Sequence, residues 1–253
     1  MCALAPRRTS RSASPYLRSI LGESLARSTR PQESPVSISP LAPTGNRLLA
    51  ALPRGERMHV LAGCERVDLK FGEILTESGE PIRHVYFPTH CAIVLITLLD
   101  ERASLEVGLV GNEGVVGTAL ALDMRVSPQR ALVQGPGGAL RMAADPFCRA
   151  LENSPELQHV LRRYVHAVMV QLAQTAGCTR FHVVEARLAR WLLMTQDRAD
   201  SDGFHVTHEF LARVLGVRRV GITRAAKRLQ DQGLIRYARG NIVVVDRAGL
   251  ETS

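Results

Sequence analysis

Residues 207–246 constrain the fold of this chain more than any other segment, because two helical patterns and a strand pattern follow one another there. Apolar side chains recur at helical spacing over 210–215. Thr207 is a suitable N-cap for this helix, since its hydroxyl can accept a hydrogen bond from a free backbone N–H. Gly216 allows a sharp turn at little steric cost. With a second helix predicted over 218–232, the segment indicates a helix-turn-helix.

The second predicted helix is basic, and a hairpin pattern follows it. Gly233 suits the position just past a helix C-terminus. Residues 234–245 then alternate around Arg239-Gly240-Asn241, which is typical of a β-hairpin. A helix pair with a basic second helix and a following hairpin is a winged helix-turn-helix, and the usual role of that motif is DNA binding.

The positive charge of the chain lies at its two ends. The net charge is +8 and the sequence pI is about 9.8. Residues 1–45 contain six arginines against two glutamates, residues 46–180 are balanced, and residues 181–253 contain 12 basic against eight acidic side chains. Phosphate neutralisation releases counterions, so the C-terminal charge predicts salt-dependent affinity for nucleic acid.

Composition indicates two domains and a tail. Residues 1–45 are rich in Ser, Pro and Arg without sustained periodicity, which predicts a disordered basic tail. Such a start could imitate an organelle transit peptide, but it lacks the apolar stretch of a secretory signal. A disordered basic extension or a wrongly chosen start codon is the simpler interpretation. No apolar run reaches the roughly 18 residues of a membrane span, so we expect a soluble, cytoplasmic protein without a membrane partner.

The cysteines and the motif content argue against metal binding and catalysis. The five cysteines are scattered without a CxxC pair, so free thiols in a reducing cytoplasm are expected. Cys178 and His182 are four residues apart, yet such a lone pair is far more often structural. The chain has no GxSxG elbow, Walker loop or HExxH motif. We therefore predict a protein that is not an enzyme and has no cofactor or bound metal.

A strand-rich region precedes a long helix. Short alternating or apolar runs predict strands within 67–71, 84–88, 92–99, 105–110 and 130–133, which favour an antiparallel sandwich or barrel. Ser154 and Pro155 suit the start of a helix that continues to about Thr179. An apolar seam repeats along this helix and suits pairing of two copies, although its first part can pack on the β domain. The seam consists of Leu157, Leu161, Tyr164, Val168, Leu172 and Thr175.

In this order of elements the chain resembles the Crp/Fnr superfamily of bacterial transcription regulators. The segments FGEILTESGEPIRHVYFP, LEVGLVGNEGVVG and EFLARVLGVRRVGITRAAKRLQDQGLIRYARGNIVVVD are similar to the family's sensor and DNA-binding parts. The resemblance implies an α+β fold with four parts. These are a tail over 1–45, an antiparallel β-roll sensor domain of cyclic-nucleotide-binding type over 46–153, a long dimerisation helix over 154–180, and a winged helix-turn-helix over 181–253.

The resemblance also implies roles for residues of the second helix. Arg219 and Arg224 fall where family members place arginines in the major groove, and their fork geometry suits guanine. Val220 stands where relatives of the cyclic-AMP receptor protein have Glu, which predicts a different operator and contact with a thymine methyl. Arg218 replaces a capping Ser and can reach a phosphate. The full set of predicted DNA-binding residues is Thr207, Arg218, Arg219, Val220, Thr223, Arg224, Lys227, Arg239 and Gly240.

The family's cyclic-nucleotide pocket is altered at each position that the resemblance maps. Thr118 replaces the carboxylate that accepts the ribose hydroxyl, and Gln129-Arg130 replace the Arg-Ser pair that holds the phosphate. Leu172-Ala173 replace an adenine-contacting Thr-Ser pair. We therefore expect no cyclic-AMP binding and leave the effector unidentified. Haem sensing through His84, His90 or Cys91 stays open.

Two functions from different classes follow. The first is a homodimeric regulator that binds a palindromic site in double-stranded DNA through helix 218–232 and cooperates with RNA polymerase. The alternative is a ligand- or partner-binding module whose winged helix contacts protein instead of DNA.

Overall fold

The computed structural model describes residues 45–98, 104–199 and 203–253, so the predicted tail lies outside the described residues except for Gly45. The helices are α1 (Arg47–Ala50), α2 (Arg54–Ala62), α3 (Ala144–Asn153), α4 (Pro155–Phe181), α5 (Val184–Gln196), α6 (His208–Val214), α7 (Arg219–Asp231) and α8 (Arg247–Thr252). The strands are β1 (Glu65–Leu69), β2 (Ile74–Thr76), β3 (His84–Pro88), β4 (Ala92–Leu98), β5 (Ser104–Val110), β6 (Arg130–Gly135), β7 (Gly137–Ala143), β8 (Gly203–His205), β9 (Ile235–Ala238) and β10 (Asn241–Val244). A 3₁₀ helix spans Thr118–Leu122.

Two antiparallel sheets form the N-terminal β domain, which confirms the predicted α+β class. Their strand orders are β1-β7-β3 and β2-β6-β4-β5. Apolar side chains from both sheets meet inside, where Tyr86, Ile93 and Val133 are buried. Strand β7 was not among the predicted strands, yet it pairs with both β1 and β3 and joins them into one sheet.

The long helix α4 begins as its capping residues predict. The Ser154 hydroxyl accepts a hydrogen bond from the backbone N–H of Leu157 at 3.0 Å, and Pro155 occupies the first turn, where it lacks only a donor that would be unpaired anyway. The first half of the helix packs on the β domain. Leu157 and Leu161 are fully buried there, and Tyr164 is buried beside them.

This burial corrects the predicted pairing seam. Leu157, Leu161 and Tyr164 belong to the core of their own chain, so they are not available to a second copy. Val168 packs partly buried against the same core. Thr175 accepts a hydrogen bond from Nη1 of Arg190 at 3.2 Å. Of the six seam residues, only Leu172 is exposed, and it is the one apolar member of the seam outside the core that packs on the β domain.

The close approach of helix α4 to the β domain depends on a glycine. Gly114 lies under the ring of Tyr164, and a Cβ at this position would overlap the phenol. We expect Gly114→Ala to lower the free energy of unfolding by about 1–3 kcal/mol through overpacking, measured by denaturant titration. Gly177→Ala in α4 is the matched control, since a Cβ added at this position would have no atom within 4 Å apart from the backbone of its own helix. It should raise stability by up to about 1 kcal/mol. Equal effects at the two glycines would contradict the packing argument.

A second core holds the C-terminal unit together. Leu188, Trp191 and Leu192 of α5 pack with Leu211 of α6 and Ile222 of α7. The small sheet β8-β10-β9 flanks these helices. Across the described residues, none of the helices combines the length and the apolar character needed to span a membrane.

Candidate nucleic-acid interface

The helix-turn-helix is formed by α6, a tight turn and α7. The Thr207 hydroxyl accepts from the Phe210 N–H at 3.1 Å, which confirms its predicted role as N-cap of α6. Gly216 has φ +60°, a left-handed conformation that side chains with a Cβ rarely adopt. Arg218 precedes α7 and makes no side-chain cap, as its residue type predicts. The turn therefore sets α7 at an angle to α6 through backbone conformation.

Helix α7 has one apolar face and one basic face. Ile222 and Leu229 are fully buried and Ala225 and Ala226 nearly so, and these four residues fix the helix against α5 and α6. The predicted DNA-binding residues of α7 lie on the opposite face, and all of them are exposed. They are Arg219, Val220, Thr223, Arg224 and Lys227. Val220 keeps 55% of its surface exposed. Its side chain is therefore available for contact with a ligand.

The cations of the basic face are not neutralised within the protomer. In the ranges that the structure covers, Arg218, Arg219, Arg224 and Lys227 form no ion pair with a carboxylate. Arg228 differs, because its Nη1 lies 3.3 Å from Oε2 of Glu185 on α5. The helix therefore has one exposed arginine that is paired with α5, and unpaired positive charge on the face that carries Arg219 and Arg224.

The wing is a hairpin of β9 and β10. Arg239 and Gly240 at its tip have φ values of +50° and +83°, which matches the positive-φ pair of a two-residue hairpin turn. The carbonyl of Gly240 accepts from the Val206 N–H at 2.7 Å, so the tip is tied to the segment that leads into α6. This contact places both predicted wing residues on the unit that also presents Thr207.

His208 is an interface residue that sequence reasoning missed. Its ring stacks on Tyr237 of β9 with 4.4 Å between centroids, and its Nδ1 lies 3.1 Å from the Thr223 hydroxyl. Burial, reinforced by the charge of Arg219, lowers the pKa of His208. The residue joins α6, α7 and the wing, and only the tertiary fold brings these three elements together.

The five residues predicted to bind an effector lie in the 3₁₀ helix, at the start of β6 and on α4. Arg130 Nε lies 2.7 Å from Glu77 Oε2, so its charge is already paired within the β domain. The Gln129 carbonyl accepts from the Ser127 hydroxyl, and Thr118 begins the 3₁₀ helix. Leu172 and Ala173 are exposed on α4.

A cavity of about 370 Å³ lies between the 3₁₀ helix, α3 and α4, and none of these five residues lines it. No group of three His, Cys, Asp or Glu side chains that could hold a metal occurs within the described ranges.

Comparison with known proteins identifies the C-terminal unit and the fold. The family model of the Crp-like helix-turn-helix domain matches residues 186–253. The fold is similar to that of a c-di-GMP-responsive global regulator from Xanthomonas campestris, with 18% identity, a TM-score of 0.63, and coverage of 76% of this chain and 99% of that one. It is also similar to FixK2 from Bradyrhizobium japonicum, with 16% identity, a TM-score of 0.64, and coverage of 74% and 95%.

A third solved structure gives the same result. A transcriptional regulator of the CRP/FNR family from Thermus thermophilus shares 20% identity, with a TM-score of 0.61 and coverage of 74% and 96%. A comparison with curated protein sequences finds no significant match. The resemblance predicted from the sequence is confirmed: residues 186–253 match the Crp-like helix-turn-helix domain model, and the chain has a fold similar to that of solved Crp/Fnr regulators.

Proposed function

We propose that this protein is a homodimeric transcription regulator that binds a palindromic site in double-stranded DNA. The observation that supports the proposal most directly is the outer face of α7, where exposed cations lack carboxylate partners among the described residues. A helix of about 10–12 Å diameter fits the major groove of B-DNA, and unpaired cations on its outer side can approach both bases and phosphates.

The side chains of this face divide into two roles. Arg219 and Arg224 recognise guanine through two parallel hydrogen bonds each, and Val220 packs on a thymine methyl. Thr207, Arg218, Thr223 and Lys227 contact the sugar–phosphate backbone and set the register of the protein on the duplex. Arg239 and Gly240 bring the wing tip to the neighbouring minor groove.

A dimer is supported by an outward stripe on α4. Val165, Met169, Leu172 and Ala176 follow one another at intervals of four, three and four residues, the spacing of a coiled-coil seam. Met169 keeps 61% of its surface exposed, although Met is usually buried. Parallel pairing of two α4 helices along this stripe covers these side chains and presents two α7 helices to successive major grooves.

The regulatory partners follow from the same proposal. A DNA-bound dimer acts on transcription through RNA polymerase. The β domain responds to an effector other than cyclic AMP, since Arg130 is paired with Glu77 and Thr118 supplies no carboxylate. The competing function is a module whose winged helix contacts a protein.

Selection from random-sequence duplexes followed by gel-shift titration separates these functions. We expect enrichment of a palindrome whose half-sites lie about one helical turn, or 10 base pairs, apart. Affinity for that site should fall steeply with salt concentration. Salt-sensitive binding without an enriched sequence would contradict specific recognition, and absence of DNA binding would favour the protein-contact alternative.

A further inference from the structure

The β domain meets the C-terminal unit, which contains the helix-turn-helix, along strand β5. Glu106 of β5 is buried and accepts a hydrogen bond from Trp191 Nε1 of α5 at 3.3 Å. Arg198, just after α5, pairs with Glu113 at 2.7 Å, and both side chains are largely shielded from solvent, with 6% and 14% exposed. These contacts span the two units, so a group bound between them would act on their relative position.

A small cavity lies at this junction. Its volume is about 40 Å³, and its walls come from β5, α4, α5 and the end of α6. One water occupies on the order of 10–15 Å³ by this kind of measure, so the cavity holds two to four waters or one small ion.

Arg190 lines the cavity, and two of its buried donor atoms have no acceptor among the described residues. Its Nη1 donates to the Thr175 hydroxyl at 3.2 Å, while Nε and Nη2 are buried and find no acceptor in the part of the chain that the structure describes. Burial lowers the pKa of this guanidinium, which remains charged because an arginine pKa starts so high. Buried donors of a charged group are costly to leave unsatisfied, so an acceptor is expected in the cavity.

The other charged groups around the cavity do not supply that acceptor. Arg187 of α5 adds a second guanidinium and donates to the Leu215 carbonyl, while Cys178 of α4 adds a thiol. Burial raises the pKa of Glu106 to about 8, so its carboxyl is mostly neutral at pH 7 and can donate a hydrogen bond. The walls at the end of α6 are the apolar Val214 and Leu215. The cavity is therefore lined by two guanidinium groups, by neutral polar side chains that include Gln171 and Thr179, and by apolar residues.

We propose that this cavity binds a small monovalent inorganic anion, such as chloride, between Arg190 and the Glu106 carboxyl. The anion accepts from the free Arg190 N–H groups and from the Glu106 O–H, and it links α5 to β5. It thereby stabilises one position of the C-terminal unit relative to the β domain. The site does not depend on DNA binding, and the regulatory consequence rests on the function proposed above.

Trp191 provides a direct readout, because it lines the cavity and is the single tryptophan of the chain. Chloride is titrated against gluconate at constant ionic strength, on the full-length protein without DNA, while Trp191 fluorescence is recorded. We expect a saturable change with one dissociation constant. Arg190→Gln should weaken binding about tenfold or more, since it removes a charged donor. Arg149→Gln, at an exposed arginine on α3, is the matched control and should leave binding unchanged.

The pH dependence tests the role of Glu106. Above its pKa the carboxylate is negative and repels the anion, so wild-type affinity should fall about tenfold between pH 7 and pH 9. Glu106→Gln, which stays neutral, should bind with little pH dependence.

Should Arg190→Gln fail to fold, the comparison of Glu106→Gln with the wild type decides alone. A wild type without a saturable response, in which water fills the cavity, would overturn the proposal. So would equal binding by Arg190→Gln, or an unchanged pH dependence in Glu106→Gln. Gel shifts are separate, so loss of the proposed DNA function would leave these results intact.

Discussion

Replacement of Arg219 by alanine is expected to lower affinity for the selected operator by about 30-fold to 10⁴-fold. Each bidentate contact between an arginine and guanine contributes about 1–3 kcal/mol of discrimination, and a symmetric dimer makes the contact twice. The side chain is exposed at the first turn of α7 and is not part of the core, so the variant should fold normally. Gel-shift titration on the operator and on an unrelated duplex measures both affinities.

The two duplexes distinguish base recognition from general attraction. Binding to unrelated DNA depends mainly on phosphate contacts and should change little in Arg219→Ala. Arg228→Ala is a matched control on the same helix, because this guanidinium is already paired with Glu185 of α5. It should leave operator affinity nearly unchanged. If Arg219→Ala loses affinity equally on both duplexes, Arg219 contacts phosphate and does not recognise a base.

The second large effect is expected at the outward stripe of α4. Met169→Glu places a charge at the centre of the proposed dimer interface, where a second copy would bring an identical charge against it. We expect the variant to be monomeric by light scattering or sedimentation. A monomer loses simultaneous binding to two half-sites, so operator affinity should fall by about 10²-fold to 10⁴-fold.

Gln174→Glu adds the same charge at an exposed position of α4 that lies outside the stripe. This control should remain dimeric and bind the operator normally. A Met169→Glu protein that stays dimeric would place the interface elsewhere. A monomeric variant with full operator affinity would show that dimerisation is not needed for recognition.

The DNA-binding unit was largely predictable because its signals are local. The cap at Thr207, the turn at Gly216 and the hairpin tip at Arg239-Gly240 each depend on residues a few positions apart. The 3.6-residue period of α7 separates buried from exposed positions without reference to the rest of the chain. The same holds for the Ser154 cap of α4.

Strand β7 shows where local reasoning ends. Its first residues are Gly137 and Gly138, which favour turns in sequence-based prediction. In the fold a Cβ at Gly137 would overlap the carbonyl of His90, so close backbone packing requires glycine there. The β1-β7-β3 sheet is held by pairings between residues far apart in the chain, and no local pattern encodes them.

The sequence alone therefore determined the helix-turn-helix, its basic face and the presence of a long amphipathic helix, because these follow from short-range periodicity and capping. The tertiary structure alone decided which stripe of that helix is buried, since Leu157, Leu161 and Tyr164 are covered by the β domain while Met169 is not. It also decided that Glu106, Trp191 and Arg190 meet across a cavity. Burial and desolvation depend on neighbours that are distant in sequence, and only the folded chain brings those neighbours together.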